Sequence, residues 1–599
     1  MPSSWKRFFY TYKQITLLAY RVSPSLLVFV TVVNSLWGLT NLPILYVNKL
    51  LIDVVIASLG KPDWTIYFKP IAILILVRSL IELVRSVVSR YSWRLGNNLT
   101  RRIAAHMDVM LGEKLNSLDI PTLESPDFQD KYKKVERESN QRVWGMISSL
   151  SEVPNAVFTI ISAIIPILDF NPLIGLAVVL VRIPEAIINA KLAKQEYQKI
   201  EARSFQHRLW GWINFHLTNS KHYYENKILG NSAHLAGKMQ AIQKELLDED
   251  FHMSMKRANY RSVFADIPES ILSFGLNLYF FVQAIMGRIT LGLAQMLYQA
   301  SSTLGAGFGQ LFNNVSLVYE NYLFVNDFTW FMDLEPKNAA GKIVPAKKFK
   351  AGIDFENVWF KYANSPDWIL RGVNFHINPE ENIAMVGENG AGKTTTIKIL
   401  CGFYPPTKGR VLVNGVDIRE YSPTEYVKSL GVLFQDFGEY PFTAGESIGY
   451  GDVSRLGAQT EIKAAAEQTD IHEFIQSLPL KYDNPLTKEF AKGIDPSKGQ
   501  WQRIALARTL FRKSQIIILD EPTSNVDPKA EEEIFEKIIK LTQKQILILI
   551  SHRFSTVRRA DKILLLETGK IRESGTHEQL MKKKGKYAQL FNLQAKSYH

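Results

Sequence analysis

A phosphate-binding pattern stands in the second half of the chain. It follows the form G-x-x-x-x-G-K-[ST], with Thr395 directly behind it, and its residues are Gly387, Glu388, Asn389, Gly390, Ala391, Gly392, Lys393 and Thr394. Glycines let backbone amides approach a phosphate closely, the lysine reaches the β- and γ-phosphates, and the final hydroxyl ligates Mg²⁺. The pattern therefore predicts a site for a nucleotide and Mg²⁺ in a loop between a strand and a helix.

An acidic pair follows a second apolar run. Asp520 and Glu521 come directly after a four-residue aliphatic stretch at 516–519. A buried strand that delivers two carboxylates beside a phosphate loop suits two tasks: Asp520 holds Mg²⁺ and Glu521 polarises the attacking water. An exposed acidic turn is the alternative when the pair is considered alone, and the phosphate loop argues against it.

The elements that must position these residues have the pattern of an α/β domain. Short aliphatic runs at 383–386, 516–519 and 548–551 alternate with amphipathic helical patterns, as in a mostly parallel, buried sheet. A polar and basic stretch at 335–350 precedes them. We therefore predict a linker at 335–350 and an ATPase domain of the phosphate-loop class at 351–599.

The first part of the chain differs sharply, because six apolar clusters are long enough to cross a bilayer. They lie at about 24–51, 67–88, 144–168, 172–190, 262–286 and 291–323. Residues 5–18 form an amphipathic pattern typical of a helix on the membrane surface, and no cleavable signal is recognisable. The expected fold is an all-α transmembrane domain of six helices at 1–334, followed by the α/β domain.

The distribution of cations predicts the orientation. The loops at 90–142 and 191–261 are rich in lysine and arginine, whereas the short loop at 169–172 has no cation. By the positive-inside rule, both long loops, both termini and the ATPase domain are cytosolic. The long loops have helical spacing, with expected turning points at 124–129 and 219–226, where short helices would contact a cytosolic domain.

Composition excludes several classes. Hydrophobic residues make up 46% and charged residues 22%, so the chain is not of the disordered type. A single cysteine, Cys401, allows neither an intramolecular disulfide nor a Cys/His zinc cluster, and a small apolar role is expected for it. The net charge of +13 is compatible with nucleic acid, but no recognition motif accompanies it, so membrane and phosphate explain it better.

Taken together, these motifs resemble the ATP-binding cassette (ABC) transporters, and the six spans resemble the exporter type of transmembrane domain fused to the cassette. The resemblance implies ATP and Mg²⁺ as ligands, and it assigns Tyr362 to adenine stacking and Gln435 to the metal. It implies a loop along the dimer interface at 524–527 and a histidine, His552, at the γ-phosphate. The implied catalytic residues are then Glu521 and His552, and the implied metal ligands are Thr394, Gln435 and Asp520.

One motif departs from the family. The Leu-Ser-Gly-Gly-Gln signature, which closes over the ATP of a second subunit, appears as Pro496, Ser497, Lys498, Gly499 and Gln500. Ser497, Gly499 and Gln500 still offer hydrogen bonds to phosphate. Lys498 removes the freedom of a glycine but adds a cation, and the sign of the net effect stays open at this point. A homodimer is favoured, and one half of a heterodimeric exporter is the alternative.

The expected function is ATP-driven export by alternating access in the cell membrane. Span six is unusually polar and is expected to line the path, and charged residues in spans two, four and five either line it or pair with one another. An amphipathic peptide, a lipid-linked molecule and a drug-like compound all suit such a cavity. No peptidase-like extension precedes the first span, so cleavage of a leader by this chain is not expected. An ATP-gated or regulatory membrane protein with weak turnover is the alternative function.

Overall fold

The structure is a computed structural model, and it describes residues 4–336, 341–363, 365–522, 528–551 and 553–596. The chain divides into two compact units. The first comprises Met1–Leu118 and Leu123–Glu335, and the second comprises Asp119–Thr122 and Pro336–His599. Each unit has its own hydrophobic cores and is described by itself below.

The first unit is helical. Its elements are α1 (Ser4–Val22), α2 (Pro24–Leu39), α3 (Asn41–Ser58), α4 (Thr65–Ser117), α6 (Pro126–Phe170), α7 (Pro172–Ala202), α8 (Ser204–Thr218), α9 (Tyr223–Leu229), α10 (Ser232–Arg261), α11 (Ile267–Ile285) and α12 (Leu291–Met332). The one-turn helix α5 (Ile120–Leu123) belongs to the second unit up to Thr122. A π-helical segment, Ser262–Asp266, joins α10 to α11. The long helices contain both the predicted spans and the helical loops that extend beyond them.

Local sequence explains where these helices begin. Ser125 caps α6 by accepting a hydrogen bond from the Phe128 amide, and Pro126 occupies the first turn, where no amide donor is needed. The first predicted span comprises α2 and α3, which Thr40 joins with helical dihedral angles, φ −66° and ψ −12°. The short helix of the first long loop is Ile120–Leu123, just before the predicted turning point at 124–129.

All six predicted spans lie in helices. By length and composition, three helical segments of the described chain are apolar enough to cross a membrane: Pro24–Ser58, Gln141–Phe170 and Pro172–Ile200. The other three predicted spans lie in α4, in the π-helical segment with α11, and in α12. These helices contain more polar residues, so their amino-acid composition alone is a weaker indication that they cross a membrane.

Helix α12 is the central element of the first unit. It packs against α3, α6, α7 and α11 and buries apolar residues along most of its length. Gly307 brings α12 close to α6, since a Cβ atom placed there would lie 2.9 Å from the Ile160 side chain. The polar residues of α12 therefore lie among neighbouring helices, and they do not all face lipid.

A buried ionic cluster joins three helices of this unit. Arg182 on α7 donates from Nη1 to Glu185 at 3.1 Å and from Nη2 to Glu269 on α11. Gly305 and Gly309 of α12 lie within 3.6 Å of the same guanidinium, measured from ideal Cβ positions. Three of the charged residues in predicted spans four and five, Arg182, Glu185 and Glu269, thus form ion pairs, which is how such groups are accommodated in a membrane.

The second unit contains two sheets. Its strands are β1 (Ile353–Phe360), β2 (Leu370–Ile377), β3 (Asn382–Val386), β4 (Lys408–Val413), β5 (Val416–Asp417), β6 (Leu430–Leu433), β7 (Ile516–Asp520), β8 (Ile546–Ile550), β9 (Lys562–Glu567) and β10 (Lys570–Gly575). One sheet has the antiparallel order β2-β1-β4-β5, and the other has the order β10-β9-β3-β8-β7-β6. In the second sheet β6, β7, β8, β3 and β9 are parallel.

The second unit also contains helices. They are α13 (Lys393–Leu400), α14 (Pro423–Tyr426), α15 (Ala444–Gly449), α16 (Gln459–Gln468), α17 (His472–Ser477), α18 (Lys498–Phe511), α19 (Pro528–Leu541), α20 (Phe554–Val557), α21 (His577–Lys583) and α22 (Lys586–Lys596). The central strands β7 and β8 are buried along their whole length, as expected of parallel strands covered on both faces. Cys401, just after α13, is buried in the core and has the small apolar role that was expected.

Candidate nucleotide site

The phosphate loop connects β3 to α13, as the sequence predicted. Gly392 has a φ of 106°, a conformation that glycine adopts at little cost, and a Cβ atom there would lie 2.8 Å from Leu370. Ala391 is buried, whereas Glu388, Asn389 and Gly390 are exposed. The loop is therefore fixed at its base and open at its tip, and its backbone forms a concave surface for an anion.

Lys393 begins α13 and turns back over the loop. Its Nζ donates to the carbonyl oxygens of Gly387 at 2.8 Å and Glu388 at 3.0 Å. Burial lowers the pKa of Lys393, and the charges of Glu521 and Asp520 oppose this shift. The ammonium group is thus already held at the loop, in a position from which it can reach phosphate oxygens.

Two oxygen groups that suit Mg²⁺ lie side by side. The hydroxyl of Thr394, which is exposed, donates to Oδ2 of Asp520 at 3.4 Å. Burial and then the neighbouring charge of Glu521 raise the pKa of Asp520 to about 6. A carboxylate that loses hydration and faces another carboxylate gains most from a divalent cation, so these donors fit Mg²⁺.

Glu521 is held by its backbone, with its side chain left near the exposed edge. Its φ is 51°, uncommon for a residue with a side chain, and its amide donates to Ile550 of β8 at 2.9 Å. Its carbonyl oxygen accepts from Nε2 of Gln502 at 2.9 Å. Gln435, exposed after β6, donates from Nε2 to Oε2 of Glu521 at 3.3 Å. The structure therefore brings Gln435 and the acidic pair together.

Tyr362 lies just after β1, not within it. Its hydroxyl is 3.3 Å from that of Thr395 on α13, and its ring makes edge contacts with Phe360 and Tyr404. These contacts place an aromatic ring beside the phosphate-loop helix. An adenine ring stacked on Tyr362 would then lie beside α13, the same helix whose N-terminal loop is predicted to bind the phosphates.

The altered signature forms the start of α18. Ser497 and Gln500 make a capping box: Ser497 Oγ accepts from the Gln500 amide at 3.3 Å, and Gln500 Oε1 accepts from the Ser497 amide at 2.8 Å. Lys498 and Gly499 are the first two helical residues, and neither has a positive φ. The backbone at 498 therefore does not require glycine, and Lys498 is exposed at a helix N-terminus.

Two contacts were not anticipated from the sequence. Gln502 is buried and joins α18 to the carbonyl of Glu521. The indication in the sequence was a glutamine in the first turns of the signature helix. Lys586 of α22 makes an ion pair with Glu388 of the phosphate loop at 3.2 Å, and nothing in the local sequence indicates it. His552 and the predicted interface loop at 524–527 lie outside the described residues.

Comparison with known proteins agrees with this geometry. A family model described as "ABC transporter" matches residues 370–524. The subtilin transport ATP-binding protein of Bacillus subtilis is 28% identical, covering 84% of this chain and 81% of that protein. The nisin transport ATP-binding protein of Lactococcus lactis subsp. lactis is 26% identical, covering 98% and 97%. Residues 370–524 belong to the ABC transporter family.

The fold of the chain is also that of a solved exporter. A bacterial Atm1-family ABC exporter with ATP bound has a TM-score of 0.76 to the chain at 23% identity, covering 96% of this chain and 98% of that one. The predicted fold class, a helical transmembrane domain followed by an α/β ATPase domain, is confirmed. A lipid A-core flippase of Chromohalobacter salexigens is 32% identical over 58% of this chain and 60% of that protein.

Proposed function

We propose that this protein is an ATP-driven exporter of an amphipathic substrate that works by alternating access. The observation that carries the proposal is the cluster of Lys393, Thr394, Asp520, Glu521 and Gln435 in a chain that also contains the helical unit. A nucleotide site alone would suit many ATPases. The presence of this site and of long apolar helices in one chain favours transport.

Within the site, each side chain has a defined task. Lys393 and the loop amides hold the phosphates, Thr394, Asp520 and Gln435 hold Mg²⁺, and Tyr362 carries the adenine. When bound, Mg²⁺ supplies charge neutralisation at the phosphates. Glu521 orients and polarises water, helped by the fixed backbone that Ile550 and Gln502 impose. His552 contacts the γ-phosphate by family resemblance.

Two chains complete the ATPase. Ser497, Gly499 and Gln500 of one chain lie at a helix N-terminus, which favours anions, and we propose that they close over the nucleotide held by the loop of another chain. A homodimer is the simplest assembly. A heterodimer remains the alternative, because a partner chain would supply a different signature.

The proposed arrangement in the membrane follows the charge pattern. Residues 1–334 form the multi-pass domain, 335–350 the linker, and 351–599 the ATPase domain on the cytosolic side. Lysine- and arginine-rich segments at 90–142 and 191–261 support this orientation. Closure of the ATPase domains then turns the bundle outward, and hydrolysis reopens it.

A peptide is the substrate class that we favour. Relatives that cover most of the chain are named for transport of subtilin and nisin, and shorter matches are named a lipid A-core flippase and a putative multidrug export protein. Coverage of nearly the whole chain includes the helical unit, which must contact the substrate. The shorter matches cover 58% and 42% of the chain, so they bear less on that unit.

Vanadate-sensitive ATP hydrolysis by the purified protein in lipid distinguishes a pump from the alternative, a regulatory protein with weak turnover. Lys498 in the altered signature is the reason for considering that alternative. We expect turnover in the wild type and a loss of about a hundredfold in Glu521→Gln, because the carboxylate that polarises water is gone. Glu425→Gln, which removes an exposed carboxylate paired with Lys428, is the matched control. Absence of turnover that Glu521→Gln does not lower further would contradict the pump.

A further inference from the structure

A polar cavity with aromatic walls lies inside the helical unit. Its volume is about 370 Å³, within the range of about 300 to 1,000 Å³ that is usual for ligand sites. Four helices line it: α2, α4, α6 and α12. Gln310, from the polar stretch of α12, closes one side. The cavity is distinct from the nucleotide site, because all of its lining belongs to the first unit.

Three tryptophans give the cavity its aromatic character. Trp37 comes from α2, Trp93 from α4 and Trp144 from α6. Indole faces attract cations and also accept apolar groups. One of them already does so within the chain, since the guanidinium of Arg85 lies 4.8 Å from the ring centroid of Trp37. Three indoles from three helices provide further surfaces of the same kind.

One polar atom of the lining is enclosed without a protein partner, and one carboxylate is open to the cavity. Asn155 Oδ1 is buried and has no hydrogen-bond partner within the described part of the chain. Glu152, one helical turn earlier on α6, is the only charged side chain among the described residues that line the cavity. A carboxylate in a cavity lined by indoles suits a ligand that brings positive charge and charged N–H donors.

We propose that this cavity binds a cationic, amphipathic peptide segment: Glu152 pairs with an ammonium or guanidinium group, and the indoles of Trp93 and Trp144 hold that cation and adjacent apolar side chains. The inference rests on the proposed export function and specifies its substrate. A peptide supplies a cation and apolar side chains in one short segment, whereas a phosphatidylglycerol headgroup carries no cation.

A neighbouring recess contains groups that would favour an anionic ligand. Trp37 and Ser89 also line this recess, which contains Glu82, Arg85 and Arg90. Its two arginines would attract anions, although Arg85 is already engaged with Trp37. Binding of an anionic amphiphile in preference to a cationic one is therefore the specific result that would overturn the proposal.

Direct binding to the full-length protein in a non-ionic detergent tests the charge preference. The probe is a fluorescent, short leucine-lysine peptide, and the matched probe is the same peptide with every lysine acetylated. We expect the lysine peptide to bind at least about tenfold more tightly than the acetylated one, which corresponds to one charged hydrogen bond. Equal affinities, or tighter binding of an anionic lauroyl-glutamate probe, would overturn the proposal.

Variants locate the effect in the cavity. Glu152→Gln should weaken the lysine peptide about tenfold and leave the acetylated peptide unchanged, and Glu152→Asp should retain most of the affinity. Glu136→Gln, the same change on the same helix at an exposed pair with Lys133, should have no effect. Unchanged affinity in Glu152→Gln would contradict the assignment. If a Glu152 variant does not fold, the comparison of the probes on the wild type still decides.

A transport measurement separates this inference from the proposed function. The same labelled peptide is followed into inside-out vesicles with ATP. Export that is equal in the wild type and in Glu152→Gln would remove the cavity assignment and leave the exporter intact. Absence of ATP-dependent uptake of every probe, with the binding preference present, would remove the exporter and leave the peptide site.

Discussion

The nucleotide site and the helical cavity assemble polar groups in opposite ways. In the ATPase unit, Lys393 and Thr394 are adjacent, and the two carboxylates follow a strand of the same parallel sheet. In the helical unit, Trp37 and Gln310 line one cavity although more than half of the first unit separates them along the chain. Motif spacing therefore reveals the first site, and only the packing of long helices reveals the second.

The largest effect is expected where one side chain has no substitute. Lys393→Ala removes an ammonium that is held by the carbonyls of Gly387 and Glu388, so ATP hydrolysis should fall about a hundredfold or more and ATP-dependent transport should be lost. Membrane insertion should remain intact. ATPase activity in proteoliposomes and membrane fractionation measure both.

Lys398→Ala is the control for this change. Lys398 lies on the same helix, 5.9 Å from the ring centroid of Tyr404, and it is not one of the proposed phosphate contacts. We expect near-normal hydrolysis. Wild-type-like transport by Lys393→Ala would contradict the proposed phosphate role and would place the decisive chemistry elsewhere.

Much of the nucleotide site could be predicted because its geometry is local. The strand 382–386 and the loop that follows it were placed correctly, since a buried strand, three glycines and a lysine leave few alternatives. The link from Gln502 to Glu521 and the ion pair of Lys586 with Glu388 could not be predicted. Each joins segments whose approach depends on the folded sheet and not on spacing.

Stability should distinguish paired charges inside the helical unit from exposed ones. Arg182→Gln leaves Glu185 and Glu269 without their shared cation, and the loss should be about 3 kcal/mol because a buried charge loses its partner. Lys133→Gln, which breaks an exposed pair with Glu136 outside the predicted spans, should cost less than about 1 kcal/mol. Thermal unfolding in detergent measures both. Equal shifts would contradict the buried cluster.

The helical unit was predictable in outline and not in its contacts. Apolar length placed all six spans in helices, because a bilayer allows few other structures. The sequence left open whether Arg182 and Glu269 line the path or pair together, and the structure pairs them.

A smaller effect is expected at the altered signature. Since the backbone at Lys498 is helical and does not need glycine, the charge of the lysine is what remains to matter. If this helix N-terminus meets the phosphates of a second chain as proposed, Lys498→Gly should raise the KM for ATP about two- to fivefold, because a cation near the phosphates is lost. Steady-state hydrolysis as a function of ATP concentration measures this.

Lys498→Gln separates charge from backbone freedom. It removes the cation and retains a good helix former, so it should match Lys498→Gly if charge governs the effect. A change confined to Lys498→Gly would instead show that backbone freedom matters. Faster turnover in both variants would mean that the lysine restrains hydrolysis, which would favour the regulatory alternative.

The smallest functional effect, and the most direct contrast between the two units, comes from thiol labelling. Burial raises the pKa of Cys401 to about 12, so at pH 8 its thiol stays neutral as well as inaccessible, and native protein should resist iodoacetamide.

Because the wild type is not expected to be labelled, Ser148→Cys is a clean reporter: Ser148 lines the helical cavity and differs from cysteine by one atom. Its labelling should be rapid, should leave basal hydrolysis nearly unchanged before modification, and should slow when the leucine-lysine peptide is present. Rapid labelling of the wild type would contradict the packing around Cys401, whereas labelling of Ser148→Cys that the peptide does not slow would separate the cavity from the peptide.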